Sequence, residues 1–481
     1  MTRAKPNPSI HPLAHRAIRT TAIALPFDPR NLKLQVRYER LDALRPNPRN
    51  ARAHSKDQLA RLAKSLSTFG WVLPILVEAD GMIIAGHARW MAAKSLGFRE
   101  GPVIRIEHLS ESQVRALALA DNKLAELSTW DPQMLGRELK ELSILDLDIT
   151  IEATGFTVPE IDIRIQGLRS PADGQHDEDD LIDVASGEAV SRTGDLWHLG
   201  DHRVLCGDAL DPMAWQRLMG TDRATVMFTD PPYNLAVKAI SGRGKRKHRE
   251  FGQASGEMSK AAFTQFLTSA FLLATRFSCD GAIHFMCMDW RHMEELLAAI
   301  NTAYTQLLNV AIWTKPAGGM GSLYRSAHEM IFVAKHGNAP HCNNVQLGKF
   351  GRNRTNVWAY DRPVKFGKNA DGDRFASEHP TPKPVGLVAD AIMDASNRGD
   401  IVVDPFLGSG STVLAAERVG RRCRGIELDP RYVDLVLRRF EHVTGLKVRL
   451  ANGKTFAEVA RQRGVSVDGI SVGTISGRRK R

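Results

Sequence analysis

The chain has 481 residues, 43% of them hydrophobic and 25% charged, which excludes a disordered or fibrous polypeptide and suits two or three globular domains. A formal net charge of +11 favours a polyanionic partner, nucleic acid first. The five cysteines, Cys206, Cys279, Cys287, Cys342 and Cys423, form no C-x-x-C pair, so no metal site or disulfide framework is expected and the protein reads as cytoplasmic.

Residues 1–33 mix Pro, Arg and His without periodicity and read as a flexible basic arm. Pro26 cuts short its apolar stretch, Ala22 to Leu25, so no signal peptide is expected. No apolar run elsewhere approaches the roughly 20 residues that cross a bilayer, and no membrane partner is expected. Residues 34–131 have the pattern of a small α/β domain. Lys56 to Phe69 reads as an amphipathic helix with Leu59, Leu62, Leu66 and Phe69 on one face, Ser55 placed to cap it and Gly70 to end it. Strands follow at Pro74 to Val77 and Met82 to Ala85, then helices at His87 to Ser95, Glu111 to Leu124 and Pro132 to Leu142. Residues 132–168 form a helical connector, and 169–192, reading S-P-A-D-G-Q-H-D-E-D-D near its start, an acidic linker that makes the best domain boundary.

From residue 193 to 450 strands and helices alternate. Apolar runs predict strands at Val226 to Thr229, Ala282 to Met288, Val310 to Thr314, Glu329 to Ala334, Ile401 to Val403 and Cys423 to Leu428. Helices are expected at Ala261 to Phe277, His292 to Thr302, Pro384 to Ser396, Thr412 to Val419 and Arg431 to Thr444. Such alternation predicts a doubly wound, mostly parallel α/β sheet with helices on both faces. Residues 451–481 form a basic tail with one helical stretch, Phe456 to Arg463.

Two segments carry chemistry. The run Val403-Asp404-Pro405-Phe406-Leu407-Gly408-Ser409-Gly410 takes a strand into a Gly-x-Gly turn and then a helix. Glycines there let a ligand approach the backbone with no Cβ in the way. The third glycine of the dinucleotide fingerprint is absent, which favours a nucleoside without a pyrophosphate. Glu427, 17 residues past Gly410, stands where an acidic side chain reaches ribose hydroxyls. The second segment is Asp230-Pro231-Pro232-Tyr233, directly after an apolar strand. Two prolines stiffen this loop, so the Asp230 carboxylate and a backbone carbonyl present fixed acceptors to a planar amino group, with the Tyr233 face beside them.

These segments, with Arg203 to Leu210, Ile312 to Pro316, Tyr324 to Glu329, Asn356 to Trp358 and His379 to Pro384, resemble in order the motifs of the β-group DNA amino-methyltransferases. The resemblance implies a Rossmann-like methyltransferase domain and S-adenosylmethionine as cofactor. Double-stranded DNA is the implied substrate, methylated on the exocyclic nitrogen of a flipped base, adenine N6 before cytosine N4. Asp230, Pro231, Pro232 and Tyr233 are then catalytic. Phe406, Gly408, Gly410 and Glu427 hold the cofactor, Asp208 meets its adenine, and Asp404, Thr381 and Lys383 lie near its methionine end. No Pro-Cys pair is present, which disfavours carbon-5 methylation of cytosine. The basic run Arg243, Lys245, Arg246, Lys247 and Arg249 is expected to meet DNA phosphates. Arg352 and Arg354 lie in the stretch 338–378, where the family keeps its target-recognition region. A homodimer and a cognate restriction enzyme are compatible partners.

Residues 34–131 resemble the N-terminal domain of ParB-like proteins. Pro46-Asn47-Pro48-Arg49-Asn50 opens the domain, and Gly86 and Arg89 match its nucleotide-binding box. Asp121-Asn122 keeps part of a later motif, with Ala125 where Arg is expected. CTP binding and a purely structural role for Gly86 and Arg89 both stay open. The rival overall reading is a non-enzymatic ParB-like partition protein, against which the intact Asp-Pro-Pro-Tyr and Gly-x-Gly segments argue.

Overall fold

The computed structural model describes residues 32–144, 150–168, 188–234, 257–315, 323–345, 354–361 and 383–465. They form two compact units, Met1–Thr129 with Ala153–Gly155, and Trp130–Glu152 with Phe156–Arg481.

In the first unit, β1 (Val36–Arg40), β2 (Ile75–Val77), β3 (Ile83–Ala85) and β4 (Glu100–Arg105) make a sheet of order β1-β4-β2-β3. The period of two along a strand sends Ile83 to one face and Ile84 to the other. Helices Lys56–Phe69 and His87–Ser95 bury Leu66, Ala92 and Ala93 against Ile75, Val77 and Ile83, while helix Glu111–Glu126 covers Ile84 and Ile106 with Val114. The Ser55 hydroxyl accepts from the Gln58 backbone N–H at 3.1 Å, the cap that the sequence announces.

The second unit is built on ten strands. They are β5 (Leu196–Leu199), β6 (His202–Cys206), β7 (Ala224–Thr229), β8 (Ser278–Met288), β9 (Gln306–Thr314), β10 (His328–Lys335), β11 (Val357–Ala359), β12 (Ile401–Asp404), β13 (Arg422–Glu427) and β14 (Arg449–Leu450). Their order is β11-β9-β10-β8-β7-β12-β13-β6-β5-β14, and the run β8-β7-β12-β13-β6 is parallel throughout. Val226, Phe228 and Val402 point to one layer, with helices Val385–Ala395, Ser411–Arg418 and Pro430–Thr444. Met227 and Val403 point to the other, with helices Pro212–Met219, Lys260–Arg276 and Met293–Ala303. Both faces of the central strands are therefore buried, which is why they read as continuous apolar runs. The chain leaves β7 toward β8 on one side and β12 toward β13 on the other, so the crevice at their carboxyl ends is a topological switch point.

Helices Pro132–Ile144 and Val158–Gln166 share a small core of Leu135, Leu139 and Ile161 and are fastened to this unit by charge. Buried Asp162 pairs with Arg421 at 2.8 Å and Arg398 at 3.0 Å, and Gln166 Nε2 donates to Asp390 Oδ1 at 2.9 Å. Among the described residues no helix is long and apolar enough to cross a membrane.

Candidate active site

Four neighbouring strands, β7, β12, β13 and β6, each carry an acidic residue at or just beyond the carboxyl end: Asp230, Asp404, Glu427 and Asp208. Their spatial order differs from their chain order because β12 and β13 insert between β7 and β6. At about 4.8 Å between strands, three steps set the four carboxyls along an edge of about 14 Å.

Asp404 is buried and held on both oxygens. Thr229 Oγ1 and the Phe406 backbone N–H donate to its Oδ1 at 2.9 and 3.1 Å, and Thr412 Oγ1 donates to its Oδ2 at 2.6 Å. Burial still pushes its carboxyl up to about 6. Glu427 accepts the Gly408 N–H at 2.8 Å and the Asp429 N–H at 2.9 Å, and burial pushes it up to about 7. Asp208 accepts the Leu210 N–H at 2.9 Å. Phe406 is partly buried, its ring 5.7 Å from that of Phe266.

The Gly-x-Gly turn needs its glycines for a reason other than ligand approach alone. Gly408 and Gly410 sit at φ +52° and +85°, the left-handed region. A Cβ on Gly410 would stand 2.9 Å from both methyls of Val436, on the helix behind the turn. Close helix packing requires Gly410, a reason that stands beside the ligand approach expected from the sequence.

The Asp230 to Tyr233 loop is engaged more heavily than its sequence suggests. Tyr233 Oη donates to Asp230 Oδ1 at 2.5 Å, and Lys383 Nζ bonds Asp230 Oδ2. The same ammonium reaches Glu329 Oε2 at 3.0 Å and Tyr233 Oη at 3.3 Å, and Lys315 pairs with Glu329 Oε1. Burial raises the Asp230 carboxyl against the pull of Lys383. For Lys383, burial alone would lower the ammonium, but Asp230 and Glu329 outweigh it and hold the group above its usual range. For Glu329, burial pushes upward and the two ammonium groups win, so it stays ionised. Lys383, expected at the methionine end of a cofactor, thus serves the Asp230 loop. Glu329 carried no assigned role in the sequence, because Lys383 and Tyr233, which tie it to Asp230, lie far away in the chain.

Asn234 follows the loop at φ +51°, and its side chain donates to Met258 O at 2.8 Å and accepts from Met258 N–H at 3.1 Å. Arg243, Lys245, Arg246, Lys247 and Arg249, in the segment between these two residues, lie outside the described residues, as do Arg352, Thr381 and His379. Arg354, expected in the target-recognition stretch, makes its contacts within the chain. Its guanidinium pairs with Asp390 at 2.7 Å and Asp394 at 2.9 Å and lies 4.8 Å from the Trp358 ring centroid. A phosphate would have to displace two carboxylates from a largely buried side chain.

In the first unit, Gly86 caps helix His87–Ser95 at φ +99°, and the Arg89 guanidinium folds back to 3.3 Å from where a Gly86 Cβ would stand. Burial lowers Arg89, opposed by the charge of Asp121. The Asn47 backbone N–H donates to His87 Nε2 at 3.2 Å, and burial keeps His87 below its usual range. Three sequence motifs, at 46–50, 86–89 and 121–122, thus converge on one helix start.

Fold and site together define an α/β domain with a row of acidic residues at the carboxyl edge of a parallel sheet, preceded in the chain by a small α/β unit. Residues 224–438 match the DNA methylase family whose members act at N6 or N4, residues 31–123 the ParB N-terminal domain, and residues 133–193 the ParB-methyltransferase HTH domain. The chain thus carries an N6/N4 DNA methylase domain together with ParB-type N-terminal and HTH domains. It is 44% identical over 81 residues, 17% of this chain and 93% of the relative, to the ParB-like nuclease domain-containing protein YnaK of Escherichia coli (strain K12). It is 26% identical over 235 residues, 46% of this chain and 84% of the relative, to Type II methyltransferase M2.DpnII of Streptococcus pneumoniae. The solved structure of PvuII DNA methyltransferase (cytosine-N4-specific) overlays with a TM-score of 0.39 at 15% identity, over 58% of this chain and 94% of that one.

Proposed function

We propose that this chain is a cytoplasmic DNA methyltransferase that moves a methyl group from S-adenosylmethionine to the N6 amino group of an adenine turned out of double-stranded DNA. The row of Asp230, Asp404, Glu427 and Asp208 across four neighbouring strand ends, with the Phe406 to Gly410 turn among them, is the observation that supports this most. These residues fit the cofactor: Glu427 offers a carboxylate for ribose hydroxyls and Phe406 an aromatic face. Asp208 offers an acceptor for the adenine amino group, and Asp404 an acceptor for the methionine end, which the resemblance also assigns to Thr381. When bound, S-adenosylmethionine supplies an electrophilic methyl group on a sulfonium.

The rest of the chemistry falls to the protein. An exocyclic amine is a poor nucleophile because its lone pair is conjugated with the ring. Asp230 and the Pro231 carbonyl accept its two N–H bonds, favour a pyramidal nitrogen and aim the lone pair, an effect on the order of several kcal/mol. Asp230, its carboxyl raised by burial, then takes the proton that the methylated nitrogen sheds. Tyr233 stacks on the flipped base with one face, since Lys383 stands over its ring at 5.6 Å from the centroid. The basic run from Arg243 to Arg249 and Arg352 would hold phosphates. Asp at position 230, where related cytosine enzymes often carry Ser, supports adenine.

Purified protein mixed with unmethylated DNA and methyl-labelled cofactor tests this reading. N6-methyladenine in the digested DNA is the expected product. N4-methylcytosine would overturn the choice of base, and label in RNA or protein alone would overturn the assignment.

Glu427 sets a pH dependence. It receives ribose hydroxyls as an anion, and burial holds its carboxyl at about 7. Cofactor affinity should therefore rise with pH up to that value and level off above it, with about a tenfold loss per unit at lower pH. Calorimetric titration between about pH 6 and 8 checks this, and Glu427→Gln should flatten the curve.

The convergence of Asn47, His87, Arg89 and Asp121 at one helix start supports a nucleotide triphosphate, CTP, as ligand of the N-terminal unit, which then acts as an accessory DNA-contacting module. Equilibrium dialysis with labelled CTP should show binding that Arg89→Ala removes. No binding by the parent protein would leave Gly86 and Arg89 structural.

A further inference from the structure

The Asp230 carboxylate has both oxygens occupied before any base arrives, one by Tyr233 Oη at 2.5 Å and the other by Lys383 Nζ. An acceptor so engaged competes poorly for an incoming amine unless its resident donors have somewhere to go. Lys383 has such a place, because Glu329 Oε2 already lies 3.0 Å from the same ammonium. Tyr233 Oη stands 3.5 Å from that oxygen as well. Glu329 is 7% exposed and Lys383 4%, so neither finds a substitute partner in water. Lys315, 10% exposed, supplies the counter-charge on the far Glu329 oxygen. The four groups balance as two carboxylates and two ammoniums.

We propose that Glu329 is a positioning residue for methyl transfer, a standby acceptor that receives the Lys383 ammonium and frees Asp230 for the target amine, with Lys315 setting how strongly it pulls. This rests on the methyl-transfer reading above. Nothing bonds or breaks covalently in the exchange; one N–H donor passes between two carboxylates.

The groups that face Asp230 are Tyr233 on its own loop, Lys383 before helix Val385–Ala395, Glu329 on β10, Cys287 on β8 and Asp404 on β12, with Lys315 behind Glu329 at the end of β9. Two neutralising substitutions therefore pull in opposite directions. In Glu329→Gln, Asp230 loses a like charge and keeps Lys383 undivided, so it ionises at lower pH and releases its donor less readily. The acid limb of the rate profile should move down by about one unit and kcat fall by about tenfold or more, with KM for cofactor unchanged. In Lys315→Met, Glu329 has Lys383 alone and draws it away, and the acid limb should move up.

Single-turnover methylation across pH reads both shifts. The protonated Asp230 carbonyl band in infrared difference spectra, isolated against Asp230→Asn, reads the same titration without turnover. Opposite shifts in the two variants support the inference, and Glu329→Asp should restore part of the parent profile. A limb and band that do not move in either variant overturn it, even if kcat falls, since a purely structural role lowers rate without moving the titration. Should Glu329→Gln fail to fold, the direction of the Lys315→Met shift decides. Opposite band shifts with no methyl transfer by the parent protein would leave the charge exchange standing and remove the functional reading instead.

Discussion

Asp230→Ala should lower the single-turnover rate of methyl transfer by about 10³-fold or more, a loss of about 4 kcal/mol in transition-state stabilisation, while leaving cofactor affinity nearly unchanged. The size follows from the role. In the proposed mechanism Asp230 is the side-chain acceptor at the switch point, and the Pro231 carbonyl cannot orient both N–H bonds by itself. Retained cofactor binding follows from position, since the Gly408 to Gly410 turn and Glu427 belong to β12, β13 and the helix behind them. The variant should also fold. Lys383 keeps Glu329 at 3.0 Å as its counter-ion, so its buried ammonium is not left without charge compensation. Equilibrium binding of the cofactor beside the rate measurement separates the two effects. Loss of both together would mean that Asp230 belongs to the cofactor site.

Gly410→Val should fail differently, losing stability and cofactor affinity at once. The residue sits at φ +85°, where a β-branched side chain is strained, and its Cβ would meet both Val436 methyls at 2.9 Å. Left-handed backbone costs about 1–2 kcal/mol and overpacking about 1–3 kcal/mol, so a loss of about 2–5 kcal/mol is expected in denaturant unfolding. Whatever strain the chain relieves by moving the turn displaces the Gly408 N–H from Glu427, now 2.8 Å apart, and with it the carboxylate proposed to receive the ribose. Cofactor affinity should fall by about tenfold or more, as misplacement of one positioned group commonly does. A Val436→Ala background should recover part of both losses, whereas a variant unaffected by it would show that strain at φ, not the helix contact, dominates.

Much of the fold was legible where local chemistry decides it. The helices at Lys56–Phe69, His87–Ser95 and Phe456–Arg463 begin and end where expected, since apolar spacing and flanking residues announce their ends. The doubly wound sheet was readable from apolar runs buried on both faces. Strand β1 was not, for it is mostly exposed and owes its existence to pairing with the distant β4, in a register that runs from Val36 opposite Ile104 to Arg40 opposite Glu100. In the site, Asp230, Asp404 and Glu427 stood out because each ends or follows a strand beside a stiff or glycine-rich turn. The pairing of Lys383 with Asp230, 153 residues apart, and the capture of Arg354 by Asp390 and Asp394 carry no local signature. A basic residue in a polar stretch reads as a surface contact until its partners are known.

The insertion of β12 and β13 between β7 and β6 bears on synthesis as well as chemistry. Thr229 and Asp404 share a hydrogen bond across 175 residues, and Glu427 arrives later still. As the chain leaves the ribosome, its acceptor loop is made long before the strands that must slot in beside it. Long-range closure of this kind is slow and pays its loop entropy before any contact rewards it. The growing polypeptide thus holds no complete cleft beside the Asp230 loop until β12 and β13 have been made and have slotted between β7 and β6.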